Sequence, residues 1–108
     1  MVLAPYTDDR LATSAAVMWA LSSGRPVIGS RIPAFSELNL GEQRMLLVTP
    51  GAPGELARVV IELRENEELM AELVANASLF CAQTGWDKVA QRHLEVYQAA
   101  QRSSRGRR

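Results

Sequence analysis

The sequence predicts an α/β fold: a fragment of parallel sheet with about three short strands, followed by a C-terminal run of helices. Three observations predict it. Short apolar runs occur at 2–5, 27–30 and 45–48. Helical or loop segments separate them, so consecutive strands are joined by crossovers and run parallel. From residue 53 onward apolar residues recur at helical spacing, with no further strand run.

Residues 12–30, ATSAAVMWALSSGRPVIGS, organise the first half of the chain. Thr13 and Ser14 are both N-cap types, whose side-chain oxygen accepts a bond from an unpaired N–H of the first helical turn. Gly24 can take the left-handed conformation that ends a helix, and Pro26 cannot continue one. A helix over 13–23 therefore leads into a strand over 27–30. Val17, Ala20, Leu21 and Gly24 share one face at the spacing i, i+3, i+4, i+7; Ala15, Met18, Trp19 and Ser22 share a second. The first face suits the sheet. The second requires another partner, and Trp19 is its largest member.

The remaining elements follow in order. Val2, Leu3 and Ala4 form a run stopped by Pro5, and Tyr6 to Asp9 is a polar loop. Residues 31–38 read as a single helical turn, 41–44 as a turn, and 45–48 as a third strand closed by Thr49-Pro50-Gly51. Pro53 and Glu55 suit the start of a helix whose stripe is Leu56, Val59, Val60 and Leu63. Met70, Leu73, Val74, Ala77 and Cys81 form the stripe of the next. Thr84-Gly85-Trp86-Asp87 is close to a capping box, with Asp where Glu or Gln is usual. It opens a last helix, from 86 to about 101, with the stripe Trp86, Val89, Ala90, His93 and Tyr97.

The 108 residues predict one domain over 1–101 and a basic, disordered tail over 102–108. Hydrophobic residues make up 47% and charged residues 22%, the balance of a chain that buries a core. Formal net charge is zero, but four arginines lie in the last seven residues, leaving eight basic against twelve acidic side chains in the body. That balance argues against nucleic acid as a partner. The single cysteine, Cys81, excludes an internal disulfide framework and a multi-cysteine metal site. It sits on an apolar stripe and reads as a small hydrophobe. No apolar run approaches the ~18 residues of a spanning helix. A cytoplasmic setting is expected.

The order of features resembles the C-terminal, donor-binding lobe of group-1 retaining glycosyltransferases of the two-lobed GT-B fold. The resemblance covers about residues 2–100. It is carried by VLAPY, TSAAVMWALSS, GRPVI, IPAFSEL with Glu37, LLVTPG, ELARVVIEL, NEELMAELVANA and WDKVAQRHLEVY, in that order. It implies a truncated Rossmann-like lobe, a nucleoside-diphosphate sugar as ligand, and a missing N-terminal lobe as a partner. It further implies a diphosphate over the start of the 13–23 helix, held by backbone groups of Thr13, Ser14 and Ala15. The other reading of Thr13 and Ser14 is a helix cap alone.

The departures from the family are specific. Its two glutamates, separated by seven residues, would fall at Leu11 and Trp19 here. Both carboxylates are absent, so no catalytic residue is assigned. The chain alone is expected to be inactive and to bind nucleotide weakly at most; no cofactor or metal is implied. Glu37 matches a family position of unknown role. His93, the lone histidine, reads as a partly buried packing residue. The alternative function is a non-catalytic interaction module that meets a partner, or a second copy, through Ala15, Met18 and Trp19. The C-terminal helix is expected to pack less completely than the others, because in two-lobed relatives it reaches the other lobe.

Overall fold

The computed structural model describes residues 1–10 and 14–106. Its elements are β1 (Val2–Ala4), α1 (Ala15–Leu21), β2 (Val27–Ser30), α2 (Pro33–Glu37), β3 (Leu46–Val48), α3 (Pro53–Arg64), α4 (Glu67–Gln83) and α5 (Trp86–Arg105). The three strands form one sheet in the order β1-β2-β3. Both pairings are parallel, with Leu3 opposite Ile28 and Ile28 opposite Leu46. All four residues of β2 are buried. This is the α/β, Rossmann-like sheet fragment with C-terminal helices that the apolar runs predict.

Alternation along β2 separates two cores. Val27 joins Val17, Ala20 and Leu21 of α1, Phe35 of α2 and Met45 on one side of the sheet. Ile28 joins Val48, Leu63 of α3 and Leu73 of α4 on the other. The longer α4 serves both cores, since Ala77 belongs to the first cluster and Leu73 to the second. Each fully buried Leu, Val, Ile or Phe side chain contributes ~1.5–3 kcal/mol by leaving water. Gly29 lies where a side chain would not fit: a Cβ there would stand 2.5 Å from Met45 Cε and 3.0 Å from Phe35 Cδ2.

The helix boundaries follow local chemistry. Ser14 caps α1 by accepting from the Val17 N–H, whereas Thr13 lies outside the described residues. The predicted helix over 13–23 is therefore shorter, seven residues, and Gly24 turns the chain toward β2 with φ of 75°. Asn66 caps α4 through the Leu69 N–H. β1 stops at Ala4, one residue before Pro5, which has no N–H for the ladder. β3 begins at Leu46 because the N–H and carbonyl of Met45 are bonded to the Asn39 side chain and not to β2.

Three further readings are corrected. The capping box at Thr84 does not form: Thr84 Oγ1 donates back to the Phe80 carbonyl, and Gly85 is the N-cap of α5 without a side-chain bond. Residues 102–105, assigned to a disordered tail, belong to the last turns of α5. Arginine is a good helix former and its charge is favourable at a helix C-terminus. His93 is exposed and not partly buried; its Nδ1 meets the Val89 carbonyl at 2.8 Å, one turn back in the same helix.

α5 has no buried residue and extends beyond the body. The described residues measure 63 × 28 × 21 Å, with a radius of gyration of 17.7 Å. A compact domain of about 100 residues has a radius near 13 Å. The excess belongs to α5.

Candidate functional site

In open α/β sheets the space beyond the carboxyl ends of the strands is where loops and helix starts converge. Here the β1 end leads through Tyr6 to the start of α1, and the β2 end leads into α2. Between them lies a cavity of about 400 Å³ lined by Ser14, Met18, Ala34, Phe35, Glu37 and Leu38, with Leu40 at its edge. Two of the residues singled out from sequence, Ser14 and Glu37, thus face one cavity although 23 positions separate them.

The polar equipment of this cavity is small. Ser14 Oγ accepts from the Val17 N–H at 3.2 Å and lies 3.4 Å from the Tyr6 hydroxyl. One of its lone pairs is committed to the Val17 N–H. The exposed Glu37 carboxylate can accept from hydroxyl or amide donors. It would repel a phosphate. Sequence reasoning missed Tyr6 and Phe35, whose rings meet at 5.5 Å beside the cavity. The available signal was position: Tyr6 follows the Pro5 that ends β1, and Phe35 falls in the first turn after β2.

Ala15, Met18 and Trp19 do share a face, but only Met18 touches this cavity. All three line a separate apolar groove of about 470 Å³, whose other wall is Cys81, Trp86 and Val89 at the α4–α5 corner. Trp19 is 75% exposed and Trp86 86% exposed. Polar groups at the groove are already used: Ser22 Oγ donates to the Trp19 carbonyl and Thr84 Oγ1 to that of Phe80. Burial pushes the Cys81 thiol up, which keeps it protonated and poorly nucleophilic. The groove offers apolar contact and no acid–base chemistry.

Away from both cavities, Glu55 is held below the ordinary carboxylate range. The main cause is the Thr49 side chain; burial opposes it, and the Thr49 backbone N–H, which donates to Glu55 Oε2 at 3.2 Å, lowers it further with smaller help from Arg31 and Arg58. That bond fastens the turn after β3 to the first turn of α3. Among the described residues, no helix is long and apolar enough to cross a membrane.

No family model matches the chain. It is similar to an uncharacterized glycosyltransferase of Methanocaldococcus jannaschii, at 28% identity over 78 residues, which is 72% of this chain. The chain spans 22% of that protein's length. With the parallel α/β sheet, this similarity supports a glycosyltransferase relationship for the chain.

Proposed function

We propose that the chain is part of the donor-binding lobe of a group-1, GT-B glycosyltransferase, and that its cavity at the carboxyl ends of β1 and β2 takes the sugar-diphosphate portion of a nucleotide sugar. The observation that carries this reading is the convergence of Ser14 and Glu37 on one cavity at that end of the sheet. The diphosphate lies toward the α1 start, against backbone N–H groups of Ser14 and Ala15, with Thr13 alongside in sequence. Glu37 takes sugar hydroxyls, since a carboxylate accepts from hydroxyls and is repelled by phosphate. The lone, half-buried Cys81 fits a cytoplasmic, reducing setting.

Sugar transfer belongs to an assembled two-lobed enzyme, because donor and acceptor must be oriented together in a water-poor cleft. This chain supplies neither the paired glutamates nor an acceptor site. An exposed helix N-terminus favours an anion by only about 0.3–1 kcal/mol. A Kd near 1 mM, about −4.1 kcal/mol, is the expected affinity for nucleoside diphosphates.

Titration of UDP, GDP and ADP, free and as sugar conjugates, followed by amide NMR tests the reading. The expected result is millimolar binding with shifts at Ser14, Ala15, Met18 and Glu37, and loss of any preference for the sugar conjugate in Glu37→Gln. Micromolar binding, transfer to an acceptor, or shifts confined to other regions would overturn it. The exposed Trp19 favours a second reading, an interaction module without nucleotide chemistry. Association with a partner protein and no nucleotide-induced shift would select that one.

A further inference from the structure

The cavity at the carboxyl ends of β1 and β2 has an unbalanced charge. Met18, Phe35, Leu38 and Leu40 give it apolar walls, and Glu37 adds one carboxylate. Among the described residues, no arginine or lysine lines it. Residues 11–13, outside the described residues, are Leu, Ala and Thr and carry no charge. Arg10, in the loop between β1 and α1, pairs with Asp8. The Arg44 guanidinium is turned to the carbonyls of Leu38 and Leu40 and to the Phe80 ring, and does not line the cavity.

A sugar diphosphate in this cavity adds negative charge to a space that already holds Glu37. Like charges in a partly desolvated site repel, and the hydroxyls of a neutral sugar do not cancel that repulsion. The balancing cation therefore has to come with the ligand. A divalent ion held by one carboxylate and phosphates keeps several of its waters, which apolar walls cannot hydrogen-bond. An ammonium on a carbon skeleton suits the site better. The carboxylate gives it a charge-assisted bond, and the skeleton lies against the apolar walls.

From this charge balance, and resting on the donor-lobe reading above, we infer that the cavity selects a nucleotide sugar with a free amino group, read by Glu37. The ammonium takes the Glu37 carboxylate, the sugar ring lies toward Met18 and Leu38, and the diphosphate keeps its place at the α1 start. A hydroxyl or an acylated amine at the same sugar position is uncharged and leaves the carboxylate facing the diphosphate unbalanced. The cavity, about 400 Å³, has the size of a small-ligand pocket. Glu37 is then a specificity-determining residue.

Two sets of probes, followed by amide NMR of the full chain, separate this inference from the reading it rests on. Cyclohexylamine and cyclohexanol share a ring, differ in charge at neutral pH and contain no phosphate. The amine should shift Met18, Glu37 and Leu38 and bind about tenfold more tightly than the alcohol, the scale of a hydrogen bond to a charged group. Among donors, UDP-glucosamine should exceed UDP-N-acetylglucosamine and UDP-glucose by a similar factor. Glu37→Gln should abolish both preferences while its thermal unfolding matches wild type, because Glu37 is exposed. Equal binding of amine and alcohol, or a preference that survives Glu37→Gln, would overturn the inference. So would broadening of the Glu37 amide by Mn²⁺ in the presence of UDP-glucose, since a metal ion would then supply the positive charge. An intact amine preference with no UDP-induced shift at Ser14 and Ala15 would overturn the donor reading and leave Glu37 as an amine site.

Discussion

The Arg44 guanidinium lies over the ring of Phe80, 4.5 Å from its centroid, and ties the loop before β3 to α4. The same guanidinium donates from Nη1 to the carbonyls of Leu38 and Leu40, at 2.8 and 3.0 Å. Asn39 completes the clasp. Its Oδ1 accepts from the N–H groups of Arg44 and Met45, and its Nδ2 donates to the Met45 carbonyl. This loop links α2, which walls the Glu37 cavity, to β3.

Arg44→Ala should therefore destabilise the fold by about 1–3 kcal/mol, the cost of leaving the half-buried Leu38 carbonyl without its donor and of losing the contact with Phe80. Arg44→Lys should recover little of it, because an ammonium cannot reach both carbonyls while lying flat on the ring. Urea unfolding of the two variants checks this. Equal midpoints for wild type and Arg44→Lys would contradict it.

Gly29→Val should cost about 1–3 kcal/mol through overpacking. Met45 can move its terminal methyl, but Phe35 is held between Gly29 and Tyr6. The displaced ring should also disturb the cavity, so the amide shifts of Ser14 and Glu37 should move with the loss of stability. Unchanged shifts at both would disconnect the sheet from the cavity.

Glu55 gives a pH prediction with a definite sign. Its folded pKa is depressed, chiefly by Thr49, so the unfolded chain takes up the proton first as acid is added. The stabilisation is present above the unfolded carboxylate pKa and is lost as pH falls through the folded one. Glu55→Gln should lower stability near neutrality and leave stability below pH ~4 close to that of wild type. Thermal unfolding across pH 3–7 reads the difference, and parallel curves would refute the assignment.

Hydrogen exchange in dilute solution should divide the molecule sharply. Amides after Leu94 in α5 should exchange faster than those of Val17, Ala20 and Leu21, whose side chains are buried. Equal protection in both helices at micromolar concentration would contradict an exposed, unsupported α5.

The sequence by itself determined the order of elements and placed their boundaries to within a few residues. Strand runs such as VIGS carry their own burial pattern, and Gly24, Pro26 and Pro53 mark helix ends through backbone restrictions that act locally. The sheet-facing stripe of α1 was equally legible, because 3.6-residue periodicity fixes which residues share a face. What covers a face is a non-local matter. Only the tertiary structure put Ser14 and Glu37 on one cavity and gave Met18 to two. It also left Trp19 and Trp86 as the open walls of a groove. It decided Thr84, whose hydroxyl satisfied the end of α4 and left the start of α5 uncapped, a choice between two neighbouring helices that the tetrapeptide does not contain. It also decided His93. The stripe shared with Val89 and Tyr97 is real, but α5 projects past the body, so the periodicity that buries a residue on α1 leaves the same pattern in water on α5.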